Sequence, residues 1–175
     1  MRDVLLAVDL LDDFRHEDGP TLLGSVRARA GGMRATLDAA RAGGRPIVYA
    51  NDHHGVWDGD RDRLVRAALE ADGGDVLRPL VPQAEDRLVI KPRYSAFDLT
   101  PLELLLAELE TERLVLLGTT TEMCVTQTAI DARERDIKVS VVTDACGCID
   151  REMERIALGY LEGVAGVQLA RAPFF

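Results

Sequence analysis

The stretch Leu114 to Ala132 reads LVLLGTTTEMCVTQTAIDA. Its first five residues are an uncharged, apolar run of the length of a buried strand. Glycine and three threonines then break that run, and a helical pattern is predicted over Glu122 to Arg135. Strand, tight turn and helix in this order are half of a βαβ unit. The stretch also carries one of only three cysteines in the chain, placed where the helix should begin. A cysteine there is either small apolar core filling or a nucleophile. The rest of the chain has to choose between these.

The same alternation recurs on both sides. Val4 to Asp9 (VLLAVD), Pro46 to Ala50 (PIVYA), Arg87 to Lys91 (RLVIK), Lys138 to Thr143 and Gly166 to Ala170 read as further strands. Helices are predicted over Ser25 to Ala42, Arg61 to Ala71, Thr100 to Glu110 and Arg151 to Leu161. Gly43-Gly44 gives the first a stop signal. Thr100 and Pro101 give the third an N-cap and a first-turn proline. Six strands alternating with helices predict one α/β domain over residues 1–175. The expected architecture is three-layered and Rossmann-like, a mostly parallel sheet in the order 3-2-1-4-5-6 with helices on both faces.

Composition narrows the function classes. The chain has 175 residues, 47% apolar and 29% charged, with a net charge of −9. That is a globular composition with room for a core. The acidic balance and scattered basic residues argue against nucleic acid or an anionic membrane surface as partner. The opening MRDVLLAVDLLDDF has acids inside its apolar part, unlike a secretory signal. No apolar run reaches the about 18 residues of a membrane span. Three cysteines in no framework spacing suit a reducing compartment, and a cytoplasmic location is expected.

In doubly wound sheets the site lies at the carboxyl ends of the strands. Reactive residues at those ends are Asp9, the group Asn51 to His54, Lys91, Cys124 and Asp144. An acid, a lysine and a cysteine therefore converge from three strands. A helix start next to a lysine would favour a Cys124 thiolate and offers N–H groups to an oxyanion. No histidine is placed to take the thiol proton, which leaves Asp9 as base. Lys91 would lower the pKa of both neighbours and orient them. Each residue alone also has an ordinary reading: Cys124 as core, Asp9 as a turn residue, Lys91 as a solvated strand end. On spacing alone the two readings stay balanced.

Three blocks carry a resemblance: DLLDDF (Asp9 to Phe14), KPRYSAF (Lys91 to Phe97) and GTTTEMCVTQTAIDA (Gly118 to Ala132). In this order they resemble the isochorismatase-like cysteine hydrolases, a family that includes nicotinamidases, N-carbamoyl amidohydrolases and isochorismatases. The resemblance implies a catalytic triad of Asp9, Lys91 and Cys124. It implies a cis peptide at Thr120-Thr121 and an oxyanion hole from the backbone N–H groups of Thr120 and Cys124. It also implies hydrolysis of a small amide, carbamoyl or ureido substrate through a thioester, in an oligomer of two or four subunits. The aromatics of the C-terminal ARAPFF are candidates to pack on a second copy. Two departures stand out: Leu11 replaces a glutamine usual in the opening block, and the histidine often found near Met153 is missing.

The loop NDHHGVW (Asn51 to Trp57) places Asp52 and His54 like the metal-binding Asp-x-His of nicotinamidases. A zinc or iron site needs at least three protein ligands. The only histidines are His16, His53 and His54, so neither metal nor other cofactor is expected. Phe14, His53, His54, Trp57, Arg93 and Tyr94 are the candidate substrate-binding residues, Arg93 as partner for a carboxylate. Cys146 and Cys148, in DACGC, are read as structural, or with Cys146 as a redox partner of Cys124. Two rival functions stay open: isochorismatase-type vinyl-ether hydrolysis, and a binding protein that keeps this fold without turnover.

Overall fold

The computed structural model describes residues 2–175. The strands are β1 (Asp3–Val8), β2 (Ile47–Asp52), β3 (Arg87–Lys91), β4 (Arg113–Thr119), β5 (Lys138–Gly147) and β6 (Gln168–Ala170). The helices are α1 (Gly19–Ala42), α2 (Arg61–Glu70), α3 (Gly74–Leu77), α4 (Leu102–Glu108), α5 (Thr126–Glu134) and α6 (Arg151–Gly163). All pairings are parallel and the sheet order is β3-β2-β1-β4-β5-β6, as the sequence predicts.

The central strand shows why. Every residue of β1 is buried, and its side chains alternate between two cores. Val4, Leu6 and Val8 face Leu102 and Leu106 of α4, Ala129 of α5 and Leu161 of α6. Leu5 and Ala7 face Leu22, Val26, Met33 and Leu37 of α1 and Leu64 of α2. A strand covered on both sides needs apolar residues at every position, and VLLAV supplies them. Each such leucine or valine contributes roughly 1.5–3 kcal/mol on full burial.

Element limits differ from expectation where glycine acts. Helix α1 starts at Gly19, six positions before Ser25, because Pro20 suits a first turn. A Cβ at position 19 would sit 1.9 Å from the Phe14 carbonyl oxygen, so this entry requires glycine. Strand β5 runs on to Gly147 rather than stopping at Thr143. Between the pairs Leu116–Val141 and Gly118–Cys146 the extra residues bulge out of β5, and pairing then continues with Gly147 opposite Thr119. Gly118 itself has φ +124°, and a Cβ there would lie 2.0 Å from the Val8 carbonyl oxygen. Two short elements were not predicted. Helix α3 and the 3₁₀ turn Arg78–Leu80 deliver Leu77 and Leu80 to the core but are too short for a helical period to show. No helix among the described residues is long and apolar enough to cross a membrane.

Candidate active site

Strand β1 delivers Asp9 to the carboxyl edge, in the left-handed region at φ +45°. Three bonds fix it there. Asp9 N–H donates to the Ala50 carbonyl at 2.9 Å, the Thr119 hydroxyl donates to the Asp9 carbonyl at 2.7 Å, and Asp52 N–H donates to Oδ1 at 2.8 Å. The next loop is pinned by Asn51, whose side-chain amide accepts from Leu11 N–H at 2.9 Å and donates to Leu11 O at 3.1 Å. Lys91 ends β3 and is 2% exposed. Its Nζ lies 2.7 Å from Asp9 Oδ2, donates to the Arg93 carbonyl at 3.0 Å and reaches Cys124 Sγ at 3.6 Å. The thiol of Cys124 also feels the Asp9 carboxylate electrostatically. Acid, lysine and cysteine thus form one buried cluster.

Burial dominates its electrostatics. It pushes the Asp9 carboxyl above its ordinary value despite the opposing pull of Lys91. Burial also works against the Lys91 ammonium, but Asp9 and Cys124 outweigh it and hold the lysine charged. Burial first, and then Asp9, push the Cys124 thiol up to about 12. The expectation of a thiolate, with both partners lowered by Lys91, is therefore corrected. Lys91 does pull in that direction, but desolvation and the neighbouring carboxylate prevail. The resting cysteine is held as a thiol beside an Asp9 carboxyl whose pKa is raised.

Cys124 sits in a wide turn of π geometry, Thr121–Val125, that leads into α5. The cis peptide before it joins Thr119 to Thr120, one bond earlier than Thr120-Thr121. Thr119 still pairs in the sheet, whereas the Thr121 carbonyl already accepts from Thr126 N–H in the turn, so the junction falls between them. The turn is anchored from below. Thr121 Oγ1 donates to Glu154 Oε1 at 2.9 Å and lies 3.1 Å from the Gly147 carbonyl oxygen, which competes for the same proton. Glu154 is paired with Arg29, whose Nη2 lies 2.7 Å from Oε2, and Nη1 of Arg29 also reaches the Cys146 carbonyl. Glu122 Oε1 accepts from Ile149 N–H at 2.7 Å and Asp150 N–H at 3.0 Å. Sequence reading missed Arg29 and Glu154. A signal existed: Arg29 falls on the buried stripe Leu22, Val26, Met33, Leu37 of α1, where a charge requires a partner.

Two clefts meet at this cluster, one of about 590 Å³ and one of about 370 Å³, sharing Asp9, Asp52, Tyr94 and Cys124. Arg93 and Tyr94 line the larger, together with Asp98 and Gln127. Thr120 and His54 line the smaller. Three candidates lie elsewhere. Phe14, at φ +55°, turns its ring into the core against Gly73. His53 and Trp57 stack on each other, with centroids 4.0 Å apart, and Trp57 is exposed. The left-handed residues His54 and Gly55 fold that loop back on itself, closed by Val56 N–H on the His53 carbonyl at 2.9 Å. His54 Nε2 lies 2.8 Å from the Leu11 carbonyl, to which it donates. Among the described residues no three His, Cys, Asp or Glu side chains are grouped to hold a metal ion. Cys146 and Cys148 are free and buried, the latter against Ser25 and Arg29.

A parallel α/β sheet with an acid, a lysine and a cysteine in contact at its carboxyl edge defines a class of small hydrolase domain. The chain belongs to the isochorismatase family and is a hydrolase of it: the model of the isochorismatase domain matches residues 3–172. An isochorismatase family protein of Bacillus subtilis, YaaI, is 30% identical over 160 residues, covering 91% of this chain and 88% of the relative. Among solved structures, the nicotinamidase/pyrazinamidase PncA of Bacillus subtilis superposes with a TM-score of 0.79 at 26% identity, over 98% of this chain and 100% of that one. N-carbamoylsarcosine amidase of Thermoplasma acidophilum superposes at 0.75 with 27% identity, over 100% and 99%.

Proposed function

We propose that the protein hydrolyses the C–N bond of a small amide, carbamoyl or ureido compound through a thioester on Cys124, without a metal. The observation that carries this reading is the position of Lys91 Nζ, 2.7 Å from Asp9 Oδ2 and 3.6 Å from Cys124 Sγ, at the meeting point of two clefts. Asp9 takes the thiol proton as Cys124 Sγ attacks the carbonyl carbon, and the oxygen becomes an oxyanion held by the backbone N–H groups of Thr120 and Cys124. The oxyanion collapses, the C–N bond breaks, and Asp9 returns the proton to the leaving nitrogen. Water then attacks the thioester, gives a proton to Asp9 and releases the acid. Sγ leaves and takes that proton back. Lys91 stays charged throughout and holds Asp9 in place.

Relatives named as nicotinamidase and N-carbamoylsarcosine amidase support amide chemistry for this chain. Vinyl-ether hydrolysis of a dicarboxylate gains no support from clefts in which, among the described residues, Arg93 is the only cation besides Lys91 and the histidines. The test is a panel of small amides and ureido compounds assayed for ammonia or amine release. Wild type should turn over at least one class and Cys124→Ala none. Equal release by the two proteins would defeat the proposal.

A further inference from the structure

The side chains of Thr121 and Glu122 tie the turn that carries Cys124 to the fold beneath it. Glu122 Oε1 takes the Ile149 and Asp150 N–H groups at the start of α6. Thr121 is fully buried, and its hydroxyl gives its one proton to Glu154 Oε1 at 2.9 Å. Arg29 fixes Glu154 in turn and reaches from α1 to the Cys146 carbonyl at the end of β5. Neither Arg29 nor Glu154 lines either cleft, so the pair acts through the turn. A buried ion pair is often no more stabilising than apolar residues of the same shape. Stability alone therefore does not account for a charge pair beneath this turn.

The backbone of the turn shows what the anchor controls. Thr126 N–H bonds to the Thr121 and Met123 carbonyls, and the Thr126 hydroxyl donates to the Thr121 carbonyl at 2.5 Å. In a planar trans peptide the N–H points opposite to the carbonyl. With the Met123 carbonyl turned toward α5, the Cys124 N–H points away from that helix. Its aim follows the tilt of the turn, which Thr121 and Glu122 set from below.

We propose that Glu154, held by Arg29, is a positioning residue for carbonyl addition at Cys124. Through the Thr121 hydroxyl it fixes the tilt of the turn, so that the Thr120 and Cys124 N–H groups converge on the oxygen that gains charge. Its loss weakens the oxyanion site while the Cys124 thiol keeps its reactivity. This rests on the hydrolase reading for the two oxyanion donors, but it is measurable without turnover.

Two probes separate the oxyanion site from the thiol. Trifluoroacetone adds reversibly: the Sγ–C bond forms, the carbonyl π pair moves onto oxygen, and Asp9 takes the thiol proton. Fluorine NMR titration reads the affinity of this adduct, with Cys124→Ala as the blank. Iodoacetamide alkylates Sγ with loss of iodide and develops no oxyanion; peptide mapping reads its rate at Cys124. Thr121→Val should weaken the ketone adduct by about tenfold or more, with alkylation little changed and Thr121→Ser restoring the affinity. Arg29→Met with Glu154→Leu removes the pair without stranding a charge. It should keep most of the wild-type Tm yet weaken the adduct as Thr121→Val does, which covers the case in which Thr121→Val fails to fold. Full ketone affinity in either variant, equal losses of alkylation and ketone affinity, or a wild type that is alkylated but forms no adduct overturns the proposal; amide turnover by the wild type would still uphold the hydrolase reading. The split between the two probes, with no amide turned over, would sink the hydrolase reading and keep Glu154 as the positioning residue.

Discussion

Replacing Arg29 with methionine removes the partner of a buried carboxylate. Arg29 and Glu154 side chains are 15% and 10% exposed, and among the described residues the bonds from Arg29 are the only charged ones that Glu154 receives. Breaking one half of such a pair costs about 3–5 kcal/mol. For a domain of this size that lowers Tm by roughly 6–20 °C. The pH dependence identifies the cause. In the wild type, burial raises the Glu154 pKa, but bonds from Arg29, Thr121 and Cys148 outweigh it and hold the group below its ordinary 4.5. A depressed carboxylate contributes stability above its unfolded pKa, lost as pH falls through the folded value. In Arg29→Met burial wins, the folded pKa rises above the unfolded one, and the sign reverses. The Tm gap between variant and wild type should therefore narrow as pH is lowered from 7 to 5. Adding Glu154→Leu should recover much of the loss, because no stranded charge remains. Thermal melts at several pH values read all three. A loss under about 1 kcal/mol, or a gap that does not vary with pH, would refute the reasoning.

Three further perturbations test other parts of the site and fold. Asp9→Asn removes both the base and one of the charges that push the Cys124 thiol up to about 12; hydrolysis should fall about 10²–10⁴-fold, while alkylation by iodoacetamide at pH 8 becomes faster, and slower alkylation would contradict the assigned electrostatics. Lys91→Met removes the group that opposes burial at Asp9. The base must be ionised to act, so the acid limb of kcat/KM against pH should move to higher pH, and a move to lower pH would count against Asp9 as base. Gly118→Ala forces a Cβ to within 2.0 Å of the Val8 carbonyl in a left-handed conformation. It should yield insoluble protein, or a Tm far below wild type in a thermal melt, and a normal melt would show that the β1–β4 contact is misdescribed.

Much of the architecture was legible because Val4 to Val8 of β1 and Leu114 to Leu117 of β4 are apolar without a break, as a strand covered on both faces requires. The boundaries that escaped depend on backbone events with no periodic trace: the resumed pairing beyond Gly118 that lengthens β5, and the Gly19-Pro20 entry to α1. At the site, topology places the strand ends that carry Asp9, Lys91 and Cys124 together, but spacing left their role balanced and only the family resemblance singled them out as a triad. Phe14, His53 and Trp57 were chosen for residue type and nearness in sequence, but left-handed residues turn the first into the core and stack the others outside. Arg29 and Glu154 belong to helices 125 positions apart in the chain, and only the folded packing of α1 and α6 beneath the Thr121–Val125 turn shows what they hold.

In the proposed reaction Cys124 carries the acyl group. Rapid acid quench of the wild-type enzyme during turnover of a reactive amide, followed by intact mass and peptide mapping, addresses it directly. A transient increment equal to the acyl fragment is expected, confined to the peptide containing Cys124 and absent from Cys124→Ala. Turnover with no adduct at any quench time in a substrate whose deacylation is slow, or an adduct mapped to Cys146 or Cys148, would contradict it.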